Sequence, residues 1–156
     1  MCAICGALDW KRRKGIERED ILRMQAALRH RGPDGSGTLM LKGAALGFDR
    51  LSFLDLEGGM QPLQNEDESV SMVCNGEIFN FPELRRELEA KGHSFRTRTD
   101  VEVILHLYEE EGLDFPKRLN GQFAIALYDG KREQLLLVRD QVGILRMFYK
   151  FAGGQV

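Results

Sequence analysis

Two pairs of apolar segments joined by short glycine-bearing turns decide most about how this chain can fold. Residues 38–41 and 44–51 flank Lys42-Gly43, and residues 122–128 and 134–138 flank a turn that begins Asp129-Gly130. Asp-Gly and its kin supply the backbone angles of tight hairpins. Strands joined this way are antiparallel, and an antiparallel sheet keeps one apolar face that something must cover. Further strands are expected at 2–9, at 69–74 (apolar throughout but for its serines) and at 145–151, the last closed by Gly153-Gly154. Three segments have helical spacing. The first, 17–28, has Ile21, Met24 and Leu28 on one face, with Glu17, Glu19 and Asp20 at its positive end. The second, 82–91, has proline in its first turn and Gly92 as its stop. The third, 101–111, presents Val101, Ile104, Leu105 and Tyr108 and ends at Gly112. The glycine-rich stretch 31–37 reads as loop. The expected class is α+β, antiparallel sheets covered by a few helices.

A chain of 156 residues makes one domain with a real core. A net charge of −2 gives no electrostatic reason to expect nucleic acid or an anionic membrane as partner. The basic run Lys11-Arg12-Arg13-Lys14 precedes Gly15 and reads as a solvated turn. No segment is apolar over a bilayer-spanning length, and the N-terminus lacks a secretory signal. Three cysteines make no disulfide framework, so the reducing cytoplasm is the expected compartment. Cys2 and Cys5 are three apart on an expected strand and so point to opposite faces, which argues against a redox or zinc pair. His30, His93 and His106 are scattered and make no metal-helix pattern; each reads as surface or structural, and no metal site is expected.

Cys2 stands directly behind the initiator methionine. With Met1 removed it carries a thiol and a free α-amine, a nucleophile and a weak base on one residue. An ordinary thiol has a pKa of about 8.5 and an α-amine about 7.7–8.0, so near neutral pH such an amine can take a thiol's proton. The plainer alternative is a small apolar residue starting a buried strand. A small second residue permits removal of Met1, so processing is expected.

Other polar groups fall where loops are expected at element ends. Asn75-Gly76-Glu77 follows the strand ending at Cys74. It reads either as an Asn-Gly turn or as an amide and a glycine N–H aimed at one oxyanion. Arg50 reads as a surface ion-pair partner or as a two-pronged clamp on a carboxylate. Asp100 opens the third helix and reads as its cap. However, Thr99 with Glu102 already forms a capping box, which leaves the Asp100 carboxylate for a ligand's ammonium. Taken together, these groups suit the side-chain amide of an amino acid.

Several motifs extend this constellation along the whole chain. They are Met1-Cys2 with Ile4 and Gly6, Arg29-His30-Arg31-Gly32-Pro33-Asp34-Gly35, and Arg50-Leu51-Ser52 with Asp55. Gln61-Pro62-Leu63, Asn75-Gly76-Glu77-Ile78-Phe79-Asn80 and Asp100-x-Glu102-Val103-Ile104 follow, then Gly121-Gln122-Phe123-Ala124 and Arg139-Asp140-x-x-Gly143-Ile144. In this order they resemble the N-terminal glutaminase domain of glutamine-dependent asparagine synthetases, class II glutamine amidotransferases with an N-terminal nucleophile. The resemblance implies a four-layer αββα sandwich. It implies Cys2 as nucleophile and Asn75 with Gly76 as oxyanion hole. It further implies Arg50 as carboxylate clamp, Asp100 and Glu77 as binders of the glutamine amino group, and Leu51 as pocket wall through its backbone. Residues 29–35 would shape a bordering loop. The implied partners are L-glutamine and an ammonia-accepting synthetase domain. ATP and Mg are implied only for that second domain, whose pyrophosphate loop has no counterpart here, and no cofactor for this chain.

Three departures from the family pattern stand out. Ala3 replaces a usual glycine, and Arg146 and Met147 replace a usual proline and leucine. Gln155-Val156 reads as the first step of a further strand, so residues 1–156 are expected to be a glutaminase domain cut short at its C-terminus. An open edge there would favour poor stability or self-association as a homodimer. Two further functions share these residues: a glutaminase feeding a different acceptor, and a glutamine-binding remnant without turnover.

Overall fold

A computed structural model of the chain describes residues 2–11, 15–52, 55 and 58–156. Met1 and most of the basic run 11–14 lie outside the described residues. The described strands are β1 (Ala3–Leu8), β2 (Gly35–Leu41), β3 (Ala44–Arg50), β4 (Leu63–Gln64), β5 (Val70–Ile78), β6 (Gly121–Asp129) and β7 (Gln134–Arg139). The helices are α1 (Arg18–Leu28), α2 (Phe81–Ala90) and α3 (Val103–Glu111), with 3-10 turns at Arg29–Arg31 and Gly112–Arg118. Both sheets are antiparallel, with strand orders β1-β3-β2 and β4-β5-β6-β7.

Period-two alternation sorts the central strands into layers. Leu46 and Phe48 of β3 pack with Val73 of β5 and Ala126 of β6, which joins the two sheets face to face. The intervening residues Met72, Cys74, Ile125 and Leu127 point the other way, into a larger core with Leu84 and Leu88 of α2 and Ile104, Leu105 and Tyr108 of α3. α1 covers the outer face of the three-stranded sheet. The result is the expected αββα sandwich. Burying a side chain such as Phe48, 1% exposed, contributes about 1.5–3 kcal/mol. No helix among the described residues is long and apolar enough to cross a membrane.

Several elements differ from expectation, each for a local reason. α1 buries Ile21 and Gln25 and exposes Met24. Gln25 is satisfied inside: its amide donates to Gly37 O and Phe48 O, and its oxygen accepts from Thr38 Oγ1. Residues 31–37 are not all loop, because β2 already starts at Gly35. Gly37 serves close approach there, since a Cβ would stand 1.9 Å from Gln61 O. β6 runs one residue longer than expected, to Asp129, whose Oδ1 accepts from the N–H groups of Lys131 and Arg132 in the 130–133 connection to β7. Residues 145–151 form no strand, although Leu145, Met147 and Tyr149 alternate as one would. There Phe148, Tyr149 and Phe151 are exposed, and Phe151 packs edge-on against Trp10 and Tyr149. Beyond the Gly153-Gly154 turn, Val156 does take a strand position, exchanging both backbone hydrogen bonds with Leu8.

Candidate active site

Three strand ends and one loop close around a cleft of about 100 Å³ between the sheets. Cys2 immediately precedes β1, Arg50 ends β3, and Leu51 follows it. Asn75, Gly76 and Glu77 lie near the end of β5, and Asp100 sits on the loop before α3. All seven residues singled out in the sequence line this cleft. A water needs about 10–15 Å³ of such space, so the cleft has room for a small ligand.

Cys2 is half-buried, and the Leu51 N–H points at its sulfur at 3.4 Å. The thiol also lies 3.5 Å from the Leu51 carbonyl. One residue thus offers a donor to a thiolate and an acceptor to a thiol. The other cysteines are unsuited to such chemistry. Cys5 points toward α1, where burial and then the Asp49 charge push its thiol up to about 11. Burial also pushes the Cys74 thiol well above its ordinary range, and the charges of Asp100 and Cys2 act the same way.

Asn75-Gly76 is no turn: β5 runs through it in register with Ala124 and Phe123. Gly76 has φ +154°, and a Cβ there would stand 2.2 Å from Gln122 O and 2.6 Å from Phe123 Cα. Only glycine lets β6 pass this close. Asn75 shares its face with Val73, toward the three-stranded sheet, and no described group hydrogen-bonds its carboxamide.

Arg50 is 5% exposed and donates from Nη2 to Asp55 O at 2.6 Å. A Cβ on Gly59 would meet Arg50 Nη2 at 2.5 Å and Thr99 Cγ2 at 2.7 Å, so glycine seats this loop on the guanidinium. Asp55 pins the loop by accepting from Arg98 N and Gly58 N, which hold its carboxyl below the usual range. On the other side, Asp34 accepts from Ser52 N, and its own N–H donates to Arg50 O. Within residues 29–35, Asp34 thus braces the backbone on either side of Leu51, while none of these residues lines the cleft itself.

Asp100 is buried, and its Oδ2 accepts from Ile78 N at 2.7 Å. Burial raises its pKa above the ordinary value, and the nearby Glu77 charge adds to the rise. The expected Thr99–Glu102 capping box does not form, and α3 starts two residues later than predicted. Glu102 instead accepts from Arg96 N, Thr97 N and Thr97 Oγ1, while Thr99 Oγ1 pairs with Thr97 Oγ1. Asp100 is left toward the cleft all the same, by a different arrangement.

Sequence reasoning assigned no site role to Gln61, Gly59, Thr99, Gln122 or Leu145, which also line the cleft. Gln61 accepts from Cys74 N at 2.6 Å and donates to Cys74 O at 3.1 Å, so its carboxamide acts as a strand neighbour to β5. Leu145 is set in place by the Arg139-Asp140 motif: Asp140 accepts from Leu145 N, and Arg139 donates to Leu145 O. Outside the cleft, two of the histidines read as scattered come together. Glu66, His93 and His106 bring one ligand atom each within 4.8 Å of one another.

The whole chain, residues 1–156, matches the family model described as "Glutamine amidotransferase domain". The chain belongs to the glutamine amidotransferase family. It is 41% identical over 149 residues to a probable glutamine-hydrolysing asparagine synthetase of Dictyostelium discoideum, covering 95% of this chain and 27% of that protein. It is 40% identical over 148 residues to asparagine synthetase B of Escherichia coli (strain K12), covering 95% of this chain and 26% of that protein. The chain thus spans about a quarter of the length of these relatives. In fold it is similar to the glutamine phosphoribosylpyrophosphate amidotransferase of B. subtilis, with TM-score 0.64, 20% identity, and coverage of 83% of this chain and 35% of that one.

Proposed function

We propose that this amidotransferase domain hydrolyses L-glutamine to glutamate and ammonia through a thioester on Cys2. The observation that carries the reading is the single cleft that gathers Cys2, Arg50, Asn75, Gly76 and Asp100 in a member of this family. Once Met1 is removed, the Cys2 amine takes the thiol proton and the sulfur attacks the side-chain amide carbon. The Asn75 amide and the Gly76 N–H hold the developing oxyanion. Collapse of the tetrahedral intermediate breaks the C–N bond, and the amine returns its proton to the leaving ammonia. Water then enters the thioester, releasing glutamate and the Cys2 thiol. Arg50 takes the α-carboxylate, Asp100 with Glu77 takes the α-ammonium, and the Leu51 backbone positions the sulfur.

The relatives at about 40% identity are asparagine synthetases, which supports aspartate as the eventual acceptor of the ammonia in a joined synthetase domain. ATP and Mg belong to that second domain, and the glutaminase step draws on no cofactor. Work of this kind suits the cytoplasm.

The test is a glutaminase assay on the chain with intact mass to score Met1 removal, and Cys2→Ala as control. Glutamate release by processed protein, absent in the variant, is the expected result. Processed protein that binds glutamine without turning it over would overturn the catalytic reading.

A further inference from the structure

We propose that His93, His106 and Glu66, completed by Glu109, form a binding site for one zinc-class divalent cation, separate from the Cys2 cleft. The residues come from three places: Glu66 precedes β5, His93 follows α2, and His106 and Glu109 lie on α3. The ligand atoms of Glu66, His93 and His106 lie within 4.8 Å of one another. His106 Nδ1 stands 3.8 Å from Glu66 Oε1 and 3.2 Å from Glu109 Oε2, and His93 Nδ1 stands 3.6 Å from the same Glu109 oxygen. At zinc–ligand distances of about 2.0–2.2 Å, neighbouring tetrahedral ligand atoms lie about 3.3–3.6 Å apart. The set needs only small side-chain adjustments to close on a cation.

The outward nitrogens support the same reading. A metal-bound histidine usually turns its other ring nitrogen to a carboxylate or carbonyl. His93 Nε2 faces Glu110 Oε1 at 3.2 Å, and Lys91 Nζ holds the other Glu110 oxygen at 3.0 Å. His106 is 2% exposed, and its Nε2 has no hydrogen-bond partner but faces Glu102 Oε1 at 4.0 Å. Both rings therefore present Nδ1 to the cluster and Nε2 to a carboxylate. Asn65 Nδ2 steadies Glu109 from the far side at 2.8 Å.

A plain ion-pair network explains these contacts less well. It needs charged imidazoles, yet the two rings lie 4.8 Å apart, where two positive rings repel. One dication shared by two neutral rings removes the repulsion and sets the proton of His106 on Nε2. Two imidazoles with carboxylates suit zinc among the common cations, and a set of oxygens alone would suit calcium or magnesium.

The test uses the whole chain stripped of metal, titrated with zinc against a chromophoric chelator, and with cobalt(II) for its visible spectrum. The expected result is about one zinc per chain. Partly exposed His93→Ala should weaken it by more than the ~10–100-fold that changes outside the coordination shell cost. Glu66→Gln, on an exposed residue, should weaken it too, and a Cys2→Ala/Cys5→Ala double variant should bind as before. Cobalt should give nitrogen–oxygen ligand-field bands without a thiolate charge-transfer band. The proposal falls if no stoichiometric binding is seen. It falls equally if binding survives His93→Ala but is lost in the double cysteine variant.

Discussion

Asp100 and Asp140 are two buried aspartates, 7% and 5% exposed, each on a loop that borders the cleft. Burial works against ionisation in both, yet their pKa values move in opposite directions. Around Asp140 the backbone N–H groups of Ile144, Leu145, Phe123 and Gly143 outweigh burial and hold its carboxyl below the usual range. Around Asp100 burial wins: among the described residues Ile78 N–H is the one donor to it from a distant element, and the Glu77 charge pushes the same way as burial. A carboxylate saturated by the backbone is part of the scaffold. One that folding leaves short of donors can serve a cation that comes from outside, which is the role proposed for Asp100 toward the ammonium of the ligand.

The largest expected effect separates the two residues by what breaks. Asp140→Ala strands several buried N–H groups at about 1–3 kcal/mol each, and is expected to destabilise the fold by about 3 kcal/mol in urea unfolding. Asp100→Asn keeps an oxygen for Ile78 N, so its loss is expected in binding. Glutamine affinity should fall by about 1.5–3 kcal/mol, with Arg50→Ala costing a similar amount, both read as the Michaelis constant. An unchanged constant in both variants would sink the recognition roles.

A smaller effect lies in the pH dependence of stability without glutamine. Asp100 has a raised folded pKa, so its contribution is complete below the ordinary carboxylate range and lost as pH rises through the folded value. Asp140 has a lowered one, so its contribution is present above the ordinary value and lost as pH falls through the folded value. Thermal midpoints across pH 3 to 8, on the order of the range where carboxyls titrate, should show Asp100→Asn removing the first slope and leaving the second. A steeper loss toward neutral pH in that variant would contradict the assignment. The smallest pH effect belongs to Glu77→Gln. Removing the charge that helps raise the Asp100 pKa should shift the acid limb of the glutamine Michaelis constant to lower pH.

Layering and site were legible in the sequence to different depths. The hairpins and helical faces predicted antiparallel strands and the three α-helices among the described residues, because period and turn residues act locally, whereas the sorting into two sheets was implied only by the family resemblance. The cleft residues were identifiable by type, since a thiol, a guanidinium, an amide and a carboxylate each suit one part of an amino acid. Misreadings arose where a local pattern has two physical causes. Asn75-Gly76 looks like a turn because glycine serves turns, but here it serves the close passage of β6. Residues 145–151 alternate like a strand and find no strand to pair with. Thr99 and Glu102 have capping-box spacing, yet Glu102 ties down residues 96 and 97 instead. The meeting of His93 with His106 could not be read from spacing, because the turn after α2 brings them together.

The seat of Gln61 bears on selectivity. A carboxamide of the kind the proposed substrate carries lines the Cys2 cleft for the life of the protein, with oxygen and nitrogen both tied to the Cys74 backbone. On the proposed reading, Cys2 shares its cleft with an amide that it must ignore. Tethered at both polar atoms, that amide is not free to turn its carbon toward the sulfur. An incoming glutamine differs from this resident chiefly in its two charged ends, so the power to discriminate rests on those ends and very little on the bond that is cut.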